Sequence, residues 1–164
     1  MGEKKPPKYV CPLIAVENID RSRQFYEQIL GQQVKMDFGE NITFHGDFAI
    51  HLKDHFMQLL GGKEKYPTET RAHNGELYFE AEEIEEVHQL LKQHGIEFIH
   101  ELQEQPWGQR VMRFFDPDGH IIEIGEQLEA VIRRFHEQGL SIQEISKRSS
   151  MPEEFVVQSI GEEK

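Results

Sequence analysis

FAIHL at 48–52 and HIIEI at 120–124 are the same strand written twice. Each alternates side chains between two faces, and each is entered from a turn that ends in Asp or Gly. The correspondence continues upstream. With Cys11 set against Glu76, Val16 meets Ala81, Ile19 meets Ile84 and Phe25 meets Leu90 without a gap. The chain therefore reads as one strand–helix–three-strand unit used twice, over 9–60 and 75–126.

The first copy opens with YVCPLIAV (9–16), a strand that Pro12 assigns to an edge or a bulge. Asp20 is the expected N-cap of a helix carrying Phe25, Tyr26, Ile29 and Leu30, with Gly31 as its stop. Strands are expected at Gln33–Phe38, Asn41–Phe44 and Phe48–Lys53, joined by turns at Gly39–Glu40 and Gly46–Asp47. Residues 54–74, with Gly61, Gly62 and Pro67, predict a loop connector. The second copy repeats the pattern. Its strand is Glu76–Ala81, and Ile84, Val87, Leu90 and Leu91 give its helical face. Strands at Ile96–Leu102, Gln109–Phe115 and His120–Gly125 follow, the last after the turn Asp116-Pro117-Asp118-Gly119.

A polar lead-in over 1–8 has no apolar stretch of the kind a secretory signal needs. No run approaches the roughly 20 apolar residues of a membrane span. One cysteine, Cys11, cannot form an internal disulfide and fits a reducing cytoplasm. The net charge of -12 opposes nucleic-acid binding, which needs clustered Lys and Arg. Residues 127–164 lie outside the repeat and predict a helical tail. Leu128, Val131, Ile132 and Phe135 make one apolar face, Ser141 and Glu144 a capping box, and Pro152 a further helix start. The tail resembles a helix-turn-helix, but its five basic residues face seven acidic ones, so packing or dimer formation is preferred over DNA binding.

Strand parity singles out four residues. The apolar faces must pack on the helices, so His51, Glu76 and Glu123 share the opposite face of their strands, and Cys11 sits where Glu76 sits. That face meets water if each sheet is open on one side. If the sheets curl into a cup, the four converge, and two carboxylates there demand a cation or a proton. Trp107 and Arg110 flank the loop before a strand and either hold a substrate or pack that loop. His45, His55, His73, His88, His94, His100, His120 and His136 are expected to be mostly solvated.

The duplicated unit, the run IDRSRQFYEQILG (19–31) and DPDGHIIEIGE (116–126) resemble the vicinal oxygen chelate superfamily. That group includes glyoxalase I, extradiol dioxygenases and the metal-free bleomycin-resistance proteins. The resemblance implies an α+β fold of two βαβββ units forming a cupped, barrel-like mixed sheet. It implies a divalent metal (Zn, Ni, Mn or Fe) held by Cys11, His51, Glu76 and Glu123, with Glu123 or Glu76 moving protons. Lyase or isomerase action on a small carbonyl or oxygen-chelating substrate would follow, in a homodimer. Glyoxalase I members typically place His or Gln, Glu, His or Gln, Glu at these points, whereas this chain has Cys, His, Glu, Glu. Only Glu123 matches by type, and the set is not the two-His, one-carboxylate triad of iron oxygenases. The alternatives are a metal-free small-molecule binder of the bleomycin-resistance type and a ligand-sensing regulator that uses the tail.

Overall fold

A computed structural model describes residues 7–62 and 73–161. Parts of the expected lead-in and connector, at 1–6 and 63–72, lie outside the described residues, as does the end of the tail at 162–164. The chain divides between residues 71 and 72 into two compact units.

Unit one runs β1 (Leu13–Val16), α1 (Ile19–Gln24), a π-helical turn (Phe25–Ile29), β2 (Val34–Asp37), β3 (Asn41–Phe44), β4 (Phe48–Leu52) and α2 (Lys53–Leu59). The strand order is β1-β4-β3-β2, with β1 parallel to β4 and the other pairs antiparallel. β1 is shorter than the sequence suggested. It begins after Pro12, which has no N–H for a ladder, although its carbonyl accepts from Ala49 N at 3.0 Å. The cap of α1 is Asn18, not Asp20: the Asn18 side chain accepts from Arg21 N at 2.9 Å. Asp20 is already helical, where its charge suits the helix N-terminus.

One face of sheet one packs on α1 and its continuation. The buried Tyr26 ring lies 5.6 Å from Phe44 and 5.2 Å from Phe48, centroid to centroid. Residues 53–59 are a helix, where Lys53 was expected to end the strand and a loop to follow from residue 54. Met57 is buried, the Phe56 ring lies 5.8 Å from that of His51, and Gly61 and Gly62 end the helix with positive φ. His51 points away from the Tyr26 side, so β4 is covered on both faces and Phe48, Ala49, Ile50 and His51 are all buried.

Unit two runs β5 (Glu76–Ala81), α3 (Ile84–Gln93), β6 (Phe98–Glu104), β7 (Arg110–Phe115) and β8 (Ile121–Glu126), then α4 (Leu128–Glu137), α5 (Ile142–Ser149) and α6 (Glu153–Gly161). The order β5-β8-β7-β6 repeats that of sheet one, and neither sheet closes into a barrel. β1 and β5 end at Val16 and Ala81, and α1 and α3 begin at Ile19 and Ile84, as the repeat requires. The buried stripe of α3 is Ile84, His88 and Leu91, at i, i+4 and i+7. Leu90, expected inside, is exposed, and His88, expected in water, stands edge-on to Phe98 at 5.5 Å.

The tail has its own apolar cluster of Val131, Ile132, Phe135, Ile145, Met151 and Val156. Ser141 and Glu144 form the predicted capping box. Three tail arginines are tied down by acidic partners: Arg133 to Glu82, Arg134 to Glu126 and Arg148 to Glu104. No helix among the described residues is long and apolar enough to cross a membrane.

Candidate functional site

Sheet two carries a polar row across all four strands. Glu123 on β8 faces Arg113 on β7, and Arg113 faces His100 on β6. The Arg113 guanidinium reaches across β8 to Glu76 on β5, with Nε donating to Glu76 Oε2 at 3.0 Å. Its Nη2 makes an ion pair with Glu123 Oε2, a buried oxygen that has no well-aligned hydrogen bond beyond this charge contact. Its Nη1 lies 3.3 Å from His100 Nε2. Two of the predicted ligands are therefore brought together, and a guanidinium holds them. Arg113 and His100 were missed because neither lies on a first or last strand of its unit. The available signal was alternation in RVMRFF, which puts Arg113 on the face opposite to Met112 and Phe114.

Beside this row lies a second network. Tyr78, directly opposite Glu123 on β5, donates to Glu80 at 2.8 Å. Gln109, 5% exposed, donates through Nε2 to Tyr78 Oη at 3.0 Å and to the Glu126 carbonyl at 2.8 Å. Trp107 Nε1 donates to Gln109 Oε1 at 3.0 Å. Gly125 permits this approach, since a Cβ there would stand 2.8 Å from Gln109 Nε2 and 2.9 Å from Tyr78 Oη. Burial pushes the Tyr78 phenol above its usual range, and the bond to Glu80 adds to this. Of the two residues expected at the substrate, Trp107 is substantially exposed, whereas Arg110 is committed to Glu126 and Glu85. Burial alone would raise the Glu126 carboxyl, but Arg134 and Arg110 together hold it below the usual carboxylate range.

In unit one, both ring nitrogens of His51 are engaged. Asn41 Nδ2 lies 3.2 Å from His51 Nδ1, and His55 Nδ1 lies 2.8 Å from His51 Nε2. With the Asn41 amide donating, the His51 proton sits on Nε2 and points at His55. His55, expected in solvent, also lies 3.4 Å from Glu40. Cys11 precedes β1 and is partly buried. The register sets Ala15 opposite His51, so Cys11 stands four residues back, about 13 Å along an extended strand.

Burial lowers the His51 pKa below 6.5, His55 adds to the shift and Glu40 opposes it. Because the folded value is depressed, the unfolded chain takes up the proton first as pH falls. The stability contributed by neutral His51 is complete above 6.5 and is lost as pH drops through the folded value. The urea midpoint should therefore fall on acidification from about pH 7 to about pH 5, and His51→Gln should flatten that part of the profile. An unchanged slope in the variant would remove His51 as the cause.

The metal implied by the resemblance can be tested against these contacts. Glu76 and Glu123 are already paired with Arg113, and His51 is saturated by Asn41 and His55. Among the described residues, no three His, Cys, Asp or Glu side chains gather as a metal cage. As they stand, the donors do not fit a metal ion.

The comparisons with known proteins agree on the fold. The profile of the glyoxalase-like domain matches residues 9–129. No curated protein matches. A protein of unknown function from Agrobacterium tumefaciens str. C58 is 37% identical over 77% of this chain and 98% of its own, with a TM-score of 0.67. A lactoylglutathione lyase from Agrobacterium tumefaciens is 20% identical over 75% of this chain and 96% of its own, with a TM-score of 0.56. A glyoxalase/bleomycin resistance protein/dioxygenase family enzyme from Burkholderia phytofirmans PsJN is 15% identical over 73% and 98%, with a TM-score of 0.62. At these last two identities the likeness is one of fold. By its sequence match over most of its length and by its duplicated βαβββ units, this chain belongs to the glyoxalase-like domain family, within the vicinal oxygen chelate superfamily.

Proposed function

We propose that this glyoxalase-like chain binds a small molecule on the polar face of sheet two and does so without a metal. The observation that carries the reading is Arg113 bridging Glu76 and Glu123. Two facing carboxylates need a cation, and the chain supplies its own. One guanidinium against two carboxylates leaves the row negative, which favours a ligand bearing an amine or other hydrogen-bond donors. Tyr78, Glu80 and Trp107 stand beside the row as further contacts.

The metal-dependent lyase or isomerase reading requires Arg113 to release both carboxylates. Elemental analysis after soaking in Zn, Ni, Mn or Fe(II) separates the two. The metal-free reading expects a substoichiometric metal content and unchanged ligand binding in chelator. A stoichiometric metal that is lost in Glu123→Ala would overturn it in favour of the enzyme.

Pairing of two copies belongs to the same proposal. Met36 and Phe38, on and beside edge strand β2, and Tyr9 and Val10 ahead of edge strand β1 are exposed apolar side chains at open edges. Light scattering should give the dimer mass at micromolar concentration, and a clean monomer mass would defeat the pairing.

A further inference from the structure

We infer that the C-terminal tail is a positioning element for the binding face, acting through the loop that carries Trp107 and Gln109. The domain match ends at residue 129, so nearly all of the tail lies beyond the matched domain. The tail nonetheless meets the loop at its tightest point. Gly108 has φ +88°, and a Cβ there would lie 2.1 Å from Phe135 Cζ on α4. No other residue type fits between that ring and the loop backbone.

Hydrogen bonds clamp the same spot. Arg134 Nη2 donates to the Gly108 carbonyl at 2.6 Å and to Glu126 Oε2 at 2.8 Å, tying loop, helix and β8 together. The loop is closed on itself by Gly108 N to the Gln105 carbonyl at 2.8 Å and Gln105 N to the Gln109 carbonyl at 2.8 Å. Phe135 is fully buried in the tail's apolar cluster, and the Arg148 guanidinium lies 4.2 Å above its ring while also bonding Glu104 on β6.

The two neighbours of Gly108 are Trp107 and Gln109. Gln109 passes the constraint to Tyr78, and Tyr78 lies opposite Glu123. A shift of Phe135 therefore moves the loop, the Gln109 amide and the Tyr78 hydroxyl as one connected set. Phe135 and Arg134 touch no ligand in this scheme. They fix the groups that do. What the loop gives to ligand capture rests on the function proposed above, whereas the positioning itself does not.

Trp107 is the single tryptophan of the chain, so its emission reports this loop alone. The whole chain without ligand is compared with Phe135→Ala, Phe135→Leu and Arg134→Gln. Acrylamide quenching of Trp107 should rise about twofold in Phe135→Ala, with a red shift, and return most of the way in Phe135→Leu. Arg134→Gln keeps the tail cluster and should still raise quenching. Leu91→Ala, in the core under α3, should leave it unchanged. If Phe135→Ala loses its tail helices by circular dichroism, Arg134→Gln decides alone. Unaltered quenching in both Arg134→Gln and a folded Phe135→Ala overturns the inference, as does an equal rise in Leu91→Ala. Because no ligand is present, a failed positioning test and a failed ligand-binding test remain distinct results.

Discussion

An Arg113→Ala variant is expected to bind a divalent metal more tightly than the natural chain does. Removing the guanidinium leaves Glu76 Oε2, Glu123 Oε2 and His100 Nε2 around the space it filled. Two carboxylates and an imidazole are a competent set for Zn or Mn. Without metal the variant keeps a buried carboxylate facing a second one, which costs about 2–3 kcal/mol, below the range for a fully buried pair because Arg113 is itself a third exposed. Bound metal restores the loss by mass action, since it binds only the folded chain. The urea midpoint should fall in chelator and recover with micromolar Zn, and calorimetry should show one site in the variant and none in the natural protein. Arg113→Lys should behave like the natural chain toward metal, as an ammonium still supplies the charge. A variant that neither loses stability in chelator nor takes up metal would mean that Arg113 is not the counter-ion of this pair.

Gly108→Ala should be among the most damaging single substitutions in the chain. Its methyl carbon would lie 2.1 Å from Phe135 Cζ, and its φ of +88° is one that alanine adopts only under strain. Overpacking and backbone strain each cost about 1–3 kcal/mol, so a total of about 3 kcal/mol or more is expected. Gly139 supplies the control, with φ +86° but no atom within 4 Å of the methyl that alanine would add. Gly139→Ala carries the backbone cost only, about 1 kcal/mol. Denaturant midpoints of the two variants should therefore differ clearly, and equal losses would show that the Phe135 contact yields easily.

The duplicated architecture was legible because burial imposes alternation and helical spacing, and both patterns recur at matching points in the two copies. Strand parity also placed Glu76 and Glu123 on one face, where they are found. The sequence did not reveal what stands between them. Arg113 reaches Glu123 only through the β7–β8 register, and His100 joins through a β6–β7 pairing whose register shifts twice between Phe98 and Gln103. No local pattern encodes such a pairing. His55 was missed for another reason. Charges and the Gly61-Gly62 pair made residues 54–62 look like a loop, although Phe56, Met57 and Leu60 have helical spacing and Gly61 is a natural stop. Read as a helix starting directly after β4, the same stretch brings His55 back beside His51. Cys11 stands apart from His51 because equal sequence offset does not mean equal strand register.

That difference in register reaches beyond Cys11. Ala15 pairs with His51, whereas Tyr78 pairs with Glu123, so one copy has slid two residues along its first strand relative to the other. A slide of one residue would have turned every apolar side chain outward. A slide of two leaves the core as it was and deals a new side chain opposite the last strand. Duplication followed by even-numbered slippage is thus a route by which one ancestral half can exchange its chemistry while its packing is inherited unchanged.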